Sequence, residues 1–336
     1  MSKNKLKVIS LFSGCGGMDL GFLGNFDFLG KHYAQNPFEI VYASDISHKA
    51  VGTYNHNFSH KAQCVDIKEK KLNELPYADI VIGGFPCQDF SLSGKRKGFD
   101  SERGKLYLQM KKVVELIKPK IFVAENVNGL RIPINGSPKT ALEHILEEFK
   151  DCGYNVSYKL LNAKNFGVPQ DRKRVIIIGI RNDIKADIMF PKKTNDETNL
   201  VTSKQAIDDL WDKIGDEKIF NHGEKDYSKA KFYKGKKMQG NKQIEPDKPA
   251  PTIRAEHHGN IEGHYRTRNE NNPDNVNGWR RLSVRECARL QSFPDNFVFT
   301  CAATHAYRQI GNAVPPVLAW HIGKTIYKIL KNKEKK

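Results

Sequence analysis

The chain has 336 residues, with 55 Lys and Arg against 38 Asp and Glu, a formal net charge of +17, and 39% hydrophobic residues. That length predicts one large domain with a smaller attachment, and no apolar run approaches the roughly 18 residues needed to cross a bilayer. The excess positive charge points to a polyanionic partner such as nucleic acid, while six scattered cysteines without a Cys-x-x-Cys pair argue against a disulfide framework and a zinc cluster.

The basic stretch Met1 to Lys7 is followed by a short apolar run that lacks a signal-peptide pattern, so a cytoplasmic location is expected. Residues 7–12 read as a short buried strand, then Ser13-Gly14-Cys15-Gly16-Gly17 as a glycine turn, with a helix starting at Met18. Further apolar runs at 40–43, 80–83, 121–124 and 175–178 alternate with amphipathic stretches such as 106–117 and 140–149. Strands alternating with helices predict a doubly wound α/β fold with a mostly parallel sheet. After Phe190 the pattern changes, and residues 191–278 are rich in Lys, Asn, Asp and Gly with few apolar runs. We therefore divide the chain into a catalytic and cofactor-binding domain over 1–190, a smaller irregular domain over 191–278, a connection over 279–304 and a C-terminal segment, 305–336, that returns to the first domain. The final lysine-rich residues read as a frayed tail.

Glycines directly after a first strand let the backbone approach a ligand, and an acid at the end of the next strand accepts hydrogen bonds from ribose hydroxyls. Gly14, Gly16 and Gly17, followed by Asp45, fit that arrangement. The spacing is Gly-x-Gly-Gly and not the Gly-x-Gly-x-x-Gly fingerprint, which disfavours a nicotinamide enzyme and suits an adenosine-type cofactor. Asp66 is a further acid able to receive an adenine amino group, although an isolated Asp is commonly a helix cap or a solvated loop residue.

In Gly83-Gly84-Phe85-Pro86-Cys87-Gln88 a cysteine follows a buried strand at the edge where open sheets place ligands. Most lone cysteines are inert core residues, but the polar, basic, glycine-containing stretch 89–105 predicts a loop over an exposed, reactive thiol. The next strand ends in Glu125-Asn126-Val127, which places a carboxyl beside it. Gln170-Asp171-Arg172-Lys173-Arg174 leads into the strand at 175–178, and alternation puts Arg172 and Arg174 on one side, two forks suited to a base oxygen or a phosphate.

Taken together these segments closely resemble the DNA cytosine-5 methyltransferases of bacterial and phage restriction-modification type. Leu11–Gly17 resembles the cofactor loop of that family, Gly84–Gln88 its Pro-Cys-Gln motif, Glu125–Val127 its Glu-Asn-Val motif, and Gln170–Arg174 its Gln-x-Arg-x-Arg motif. Arg281–Pro294 and Gly311–Pro316 resemble its last two motifs. Cys15, Asp45 and Asp89 depart from the commoner residues, and only the Asp45 change, which keeps the carboxylate, touches an expected ligand.

The resemblance implies the Rossmann-like fold of S-adenosylmethionine-dependent methyltransferases, with 191–278 as target-recognition domain. It implies that the Cys87 thiolate adds to carbon 6 of a cytosine turned out of duplex DNA, because carbon 5 is too weak a nucleophile unaided. Glu125 would assist at ring nitrogen 3 and Arg174 at the base oxygen, with Arg172 in the same catalytic set. S-adenosyl-L-methionine would lie against Phe12, Gly14, Gly17, Asp45, Ile46, Asp66, Ile67, Pro86, Leu106, Asn312 and Val314. Gln88, Ser91, Ser93 and Arg103 of the clamp loop, and Arg254, His257, His258, Arg266 and Arg268 of the recognition region, are the expected DNA contacts. A metal is not expected, nor a membrane, and the chain is expected to act as a monomer alongside a cognate restriction endonuclease.

Three alternatives stay open at this level. A tRNA cytosine-5 methyltransferase would use the same Cys87 and Glu125, but the long 191–278 region favours DNA. A catalytically silent binding module conflicts with the intact Cys87, Glu125 and Arg174 set. A nicotinamide oxidoreductase leaves Cys87 and the two arginines unexplained.

Overall fold

The computed structural model describes residues 5–85, 106–133, 139–229, 242–258, 263–267 and 278–333, without the side chains of Lys242, His257, His258 and Lys333. In chain order the first part comprises β1 (Leu6–Leu11), α1 (Gly17–Leu23), β2 (Phe26–Phe28), β3 (Lys31–Tyr33), β4 (Phe38–Asp45), α2 (His48–Asn57), β5 (Gln63–Cys64), β6 (Ile80–Gly83), α3 (Tyr107–Ile117), β7 (Ile121–Val127), α4 (Ala141–Asp151), β8 (Tyr154–Asn162) and β9 (Lys173–Arg181). Then come α5 (Ser203–Ile207), β10 (Lys242–Gln243), β11 (His264–Arg266), β12 (Arg280–Arg281), α6 (Val284–Leu290), α7 (Ala303–Asn312) and α8 (Pro316–Lys333).

Seven strands form one sheet in the order β5-β4-β1-β6-β7-β9-β8. The first five run parallel, as expected, and β9 is antiparallel to both of its neighbours. From β1 the order runs outward in both directions, which makes the carboxyl end of β1 a switch point where an open sheet leaves a crevice. Alternation along the strands divides the apolar side chains between two faces. Val8, Ile40, Ile82, Val123 and Ile178 pack with Phe22 of α1 and with Val317, Ile322 and Ile326 of α8. Ile9, Val81, Phe122 and Ile177 pack with Val113 and Val114 of α3 and Ile145 and Phe149 of α4. Burial on both faces explains why these strands are continuous apolar runs.

Among the described residues, the stretch 191–278 contributes Ala206, Ile207, Ile244, Ala250 and Ile253 to the apolar cluster that holds α6, α7 and α8. Its short strands form a three-stranded sheet with β12, in the order β10-β11-β12.

This region is tied down by a buried charge cluster. Glu286 of α6 is fully buried; it accepts from Arg266 (3.1 Å), twice from Arg280 (2.8 Å each) and from the Ser283 main-chain N–H (2.7 Å). Burial alone would raise the Glu286 carboxyl, but the hydrogen bonds and charges of Arg280 and the charge of Arg266 hold it below the usual range. Arg266 also bonds the Ile207 carbonyl and Asp208, and both guanidinium groups stack on Trp211. Arg266 is therefore a correction to the sequence reading: its charge is neutralised inside the fold and is not offered to DNA.

Replacing Glu286 by Ala takes the shared carboxylate away from the buried Arg266 and the partly buried Arg280 guanidinium groups. It should lower the unfolding free energy by about 3–5 kcal/mol, read as a shift of the urea midpoint, and a shift of less than about 1 kcal/mol would contradict this assignment.

Candidate active site

The carboxyl ends of β1, β4, β6 and β7 open into one cavity of about 1060 Å³. After β1 the backbone takes positive φ at Phe12 (54°), Gly14 (56°) and Gly16 (91°), and this contorted turn is why glycines stand there. A Cβ on Gly16 would lie 2.4 Å from the Phe58 ring, so the turn also needs glycine for space. Asp45, ending β4, accepts from the Gly14 N–H (2.9 Å) and the Ser47 N–H (2.8 Å), which locks its carboxyl at the cavity wall. Burial raises the Asp45 carboxyl above its ordinary range, against these two bonds.

Every residue assigned to the cofactor lines this cavity except Pro86, which lies outside the described residues. The lining suits an adenosine-bearing sulfonium. Asp45 and Asp66 supply acceptors, Phe12, Ile46, Ile67 and Val314 supply apolar faces, and the Ser13 hydroxyl is buried without a partner among the described residues. Ile46 is 68% exposed toward this space.

The opposite end of the cavity holds the carboxyl. Strand pairing sets Glu125 against Ile176 and Val127 against Arg174, so Arg174 and Glu125 are diagonal neighbours on one face of the sheet. Arg174 Nε lies 2.9 Å from Glu125 Oε1, and Arg174 Nη1 donates to the Lys173 carbonyl. Both side chains are buried and line the cavity. Asn126 donates to the Phe85 carbonyl (3.1 Å), and a Cβ on Gly84 would stand 3.2 Å from Glu125 Oε2, so β6 leaves the sheet against this carboxyl. Phe85 is the last described residue there. Cys87, Gln88, Ser91, Ser93 and Arg103 lie outside the described residues, and Leu106, the first after them, lines the cavity.

Arg172 departs from the expected fork offered to a base or phosphate. Its guanidinium is buried, and its terminal nitrogens donate to the carbonyls of Ile253 (2.8 Å), Gly311 (2.7 Å) and Ala313 (3.0 Å). Arg254 lines the cavity; the turn holding His257 and His258 follows it, and Arg268 lies outside the described residues. The sequence reading missed the rim formed by Lys49 and His305, whose Nζ and Nε2 stand 2.6 Å apart and join α2 to α7. Nothing in the sequence brings two residues so far apart together; only the amphipathic spacing of α7 hinted at a packed helix there.

Beneath the turn, the fully buried Asp19 carboxyl accepts from Ser10 (2.9 Å) and Tyr54 (2.8 Å), and the Tyr54 hydroxyl also meets His60. Burial pushes Asp19 up to about 6, against those hydrogen bonds. A carboxyl raised on folding contributes stability below its unfolded value near pH 4 that is lost as pH rises through 6. Asp19→Asn should therefore stabilise the protein by up to about 3 kcal/mol at pH 8, with the gain shrinking to nothing near pH 4. Urea midpoints of both proteins across that range check it, and a gain independent of pH would refute it.

The comparisons with known proteins agree with this architecture. The family model described as C-5 cytosine-specific DNA methylase matches residues 6–328. The chain is 36% identical to the type II methyltransferase M.NgoFVII of Neisseria gonorrhoeae, across all of this chain and 90% of that protein. It is 35% identical to the type II methyltransferase M.FnuDI of Fusobacterium nucleatum, across 98% of this chain and 96% of that one. Among solved structures it is similar, with a TM-score of 0.69 and 25% identity, to a DNA modification methyltransferase encoded within an E. coli prophage, covering 97% of this chain and 100% of that one. A TM-score of 0.70 at 21% identity to S. pombe Dnmt2 methyltransferase, covering 96% and 99% of the two chains, shows the shared fold. With the family model covering nearly the whole chain, the protein belongs to the C-5 cytosine-specific DNA methylase family and is a cytosine-5 DNA methyltransferase.

Proposed function

We propose that the protein methylates carbon 5 of a cytosine turned out of a short duplex DNA site, through a covalent adduct of Cys87 at carbon 6. The observation that carries the reading is the Glu125–Arg174 pair in the cavity, held by strand register next to the segment that leads into Cys87. S-adenosylmethionine, bound against the glycine turn, Asp45, Asp66 and Asn312–Val314, supplies an electrophilic methyl on a sulfonium.

The remaining work falls to this chain. The Cys87 thiolate forms a bond to carbon 6 and shifts an electron pair onto carbon 5. Glu125 holds a proton at ring nitrogen 3 as negative charge builds there, and Arg174 orients that carboxyl and faces the base oxygen. After carbon 5 is methylated its proton leaves to a base, the carbon 5–carbon 6 double bond reforms and the thiolate departs. Removing the base from the helix costs a few kcal/mol in general, and the loop 88–105, with Gln88, Ser91, Ser93 and Arg103, is assigned to stabilising that state. Residues 191–278 choose the site, with Arg254, His257, His258 and Arg268 as the remaining candidates for base or phosphate contacts. The similarity to type II methyltransferases supports a modification role beside a cognate endonuclease. A cytoplasmic monomer is part of the same proposal; among the described residues no helix is long and apolar enough to cross a membrane.

The decisive experiment mixes the protein with labelled S-adenosylmethionine and unmethylated duplex DNA, then digests the DNA and identifies the labelled base. Label should appear in 5-methylcytosine, fall by about 10³-fold or more with Cys87→Ser, and fall by about 10²-fold or more with Glu125→Gln. Label in tRNA in place of duplex DNA would overturn the substrate, and no label in either would return the chain to a binding module.

Cofactor binding gives a separate test. Asp45→Asn should weaken S-adenosylhomocysteine by about tenfold in calorimetry, the worth of one or two hydrogen bonds to a charged acceptor. In the unaltered protein affinity should fall as pH drops through the raised Asp45 value, because the neutral carboxyl accepts less strongly, and this acid limb should be absent from the variant.

A further inference from the structure

We propose that Arg172 is a positioning residue that holds the cofactor wall and the DNA-facing wall of the cavity in one register, so that occupancy of either side raises affinity for the other. The inference rests on the cofactor and DNA assignments above, and it changes the part Arg172 plays in them.

The guanidinium is 1% exposed and forms no ion pair among the described residues. Its acceptors come from two separate stretches of chain: Nη1 takes the Ile253 carbonyl, and Nη2 takes the Gly311 and Ala313 carbonyls. Burial, and then the charge of Arg174, hold its pKa well below the usual range, with only the Glu125 charge opposing them. A cation so weakly compensated depends on those carbonyl dipoles, so a movement of either stretch away from it is resisted.

A second path runs beside it. The Ile253 N–H donates to Gln170 Oε1 (3.1 Å), Gln170 Nε2 donates to Gln291 Oε1 (2.6 Å), and Gln291 Nε2 donates to the Ala313 carbonyl (2.6 Å). The Ile253 peptide groups are thus gripped from both sides. The two stretches also touch directly, since a Cβ on Gly311 would lie 2.2 Å from the Arg254 carbonyl carbon. Asn312 and Val314 line the cavity on one side of this junction, and Arg254, Ala255 and Glu256 line it on the other. A ligand that fixes Asn312–Val314 therefore fixes the approach to the His257–His258 turn as well, and the effect is reciprocal.

The test is calorimetric. The dissociation constant of S-adenosylhomocysteine is measured for the full chain and for Arg172→Lys, each with and without sheared unmethylated duplex DNA. The unaltered protein should bind about tenfold tighter with DNA present, and in Arg172→Lys that ratio should fall to within about twofold of one, because a lysine ammonium cannot span carbonyls from both stretches. A role confined to folding would lower the melting temperature and leave the ratio intact, so an unchanged ratio in the variant overturns the proposal. Gln170→Met, which breaks the second path without touching the buried charge, should cut the ratio by about threefold or more and serves if Arg172→Lys does not fold; an unchanged ratio there is equally fatal. Uncoupled binding of both partners by the unaltered protein overturns this inference alone, whereas binding of neither overturns the proposed function with it.

Discussion

Buried main-chain carbonyls must find donors, and in an irregular stretch they cannot find them in a ladder. This protein answers that constraint with arginine. Arg172 bonds three carbonyls, and Arg285, almost fully buried, bonds those of Phe220, Pro294 and Phe297. Arg266 and Arg280 converge on Glu286 while bonding the Ile207 and Arg281 carbonyls. A guanidinium carries five N–H groups in a planar fork and stays charged under strong desolvation, which lysine does not. Among the described residues of 191–302, which carry only short strands and short helices, Arg266, Arg280 and Arg285 bind the segments to one another, and Arg172, just ahead of β9, ties them to the sheet at the cavity wall.

Much of the sheet was legible in the sequence because its strands are buried on both faces. Ile80–Gly83 and Val175–Ile178 are unbroken apolar runs, and no polar helix face competes with that reading. The edge strand β8 escaped because it alternates polar and apolar residues and borders solvent, as Lys159 shows. The glycine turn could be recognised since positive φ at Gly14 and Gly16 favours glycine, and Asp45 since it follows an apolar run that ends at the same sheet edge. Arg172 and Arg266 could not be placed from composition: a chain with net charge +17 offers many arginines, and one that saturates carbonyls is indistinguishable in a string of letters from one that meets phosphate. The distinction is one of burial, and burial in an irregular region follows from tertiary packing alone.

The Glu125–Arg174 geometry illustrates how register does chemical work. A one-residue slip between β7 and β9 would turn Arg174 to the other face and leave Glu125 buried without its cation. Nine paired residues with β8 and seven with β7 stand against such a slip. The carboxyl is consequently held by sheet and not by loop, which suits the role proposed for it at ring nitrogen 3.

The reversed direction of β9 has a consequence for how specificity can change. Because it runs against its neighbours, its beginning and not its end reaches the ligand edge, and Gln170–Arg172 sit there as a fixed seam. Ala250–Ile253 closes along that seam chiefly through main-chain atoms: Asp171 N–H to the Ala250 carbonyl, Ala250 N–H to the Pro169 carbonyl, and both peptide groups of Ile253 to Gln170 and Arg172. Such a joint asks little of side-chain identity beyond the small Ala250, the buried Ile253 and Thr252, whose hydroxyl donates to the Asp171 carbonyl (2.6 Å). On the proposed role of residues 191–278 in choosing the site, segments of different sequence could be joined ahead of it and take the same seat, so that a new DNA site could evolve without disturbing the Glu125–Arg174 pair.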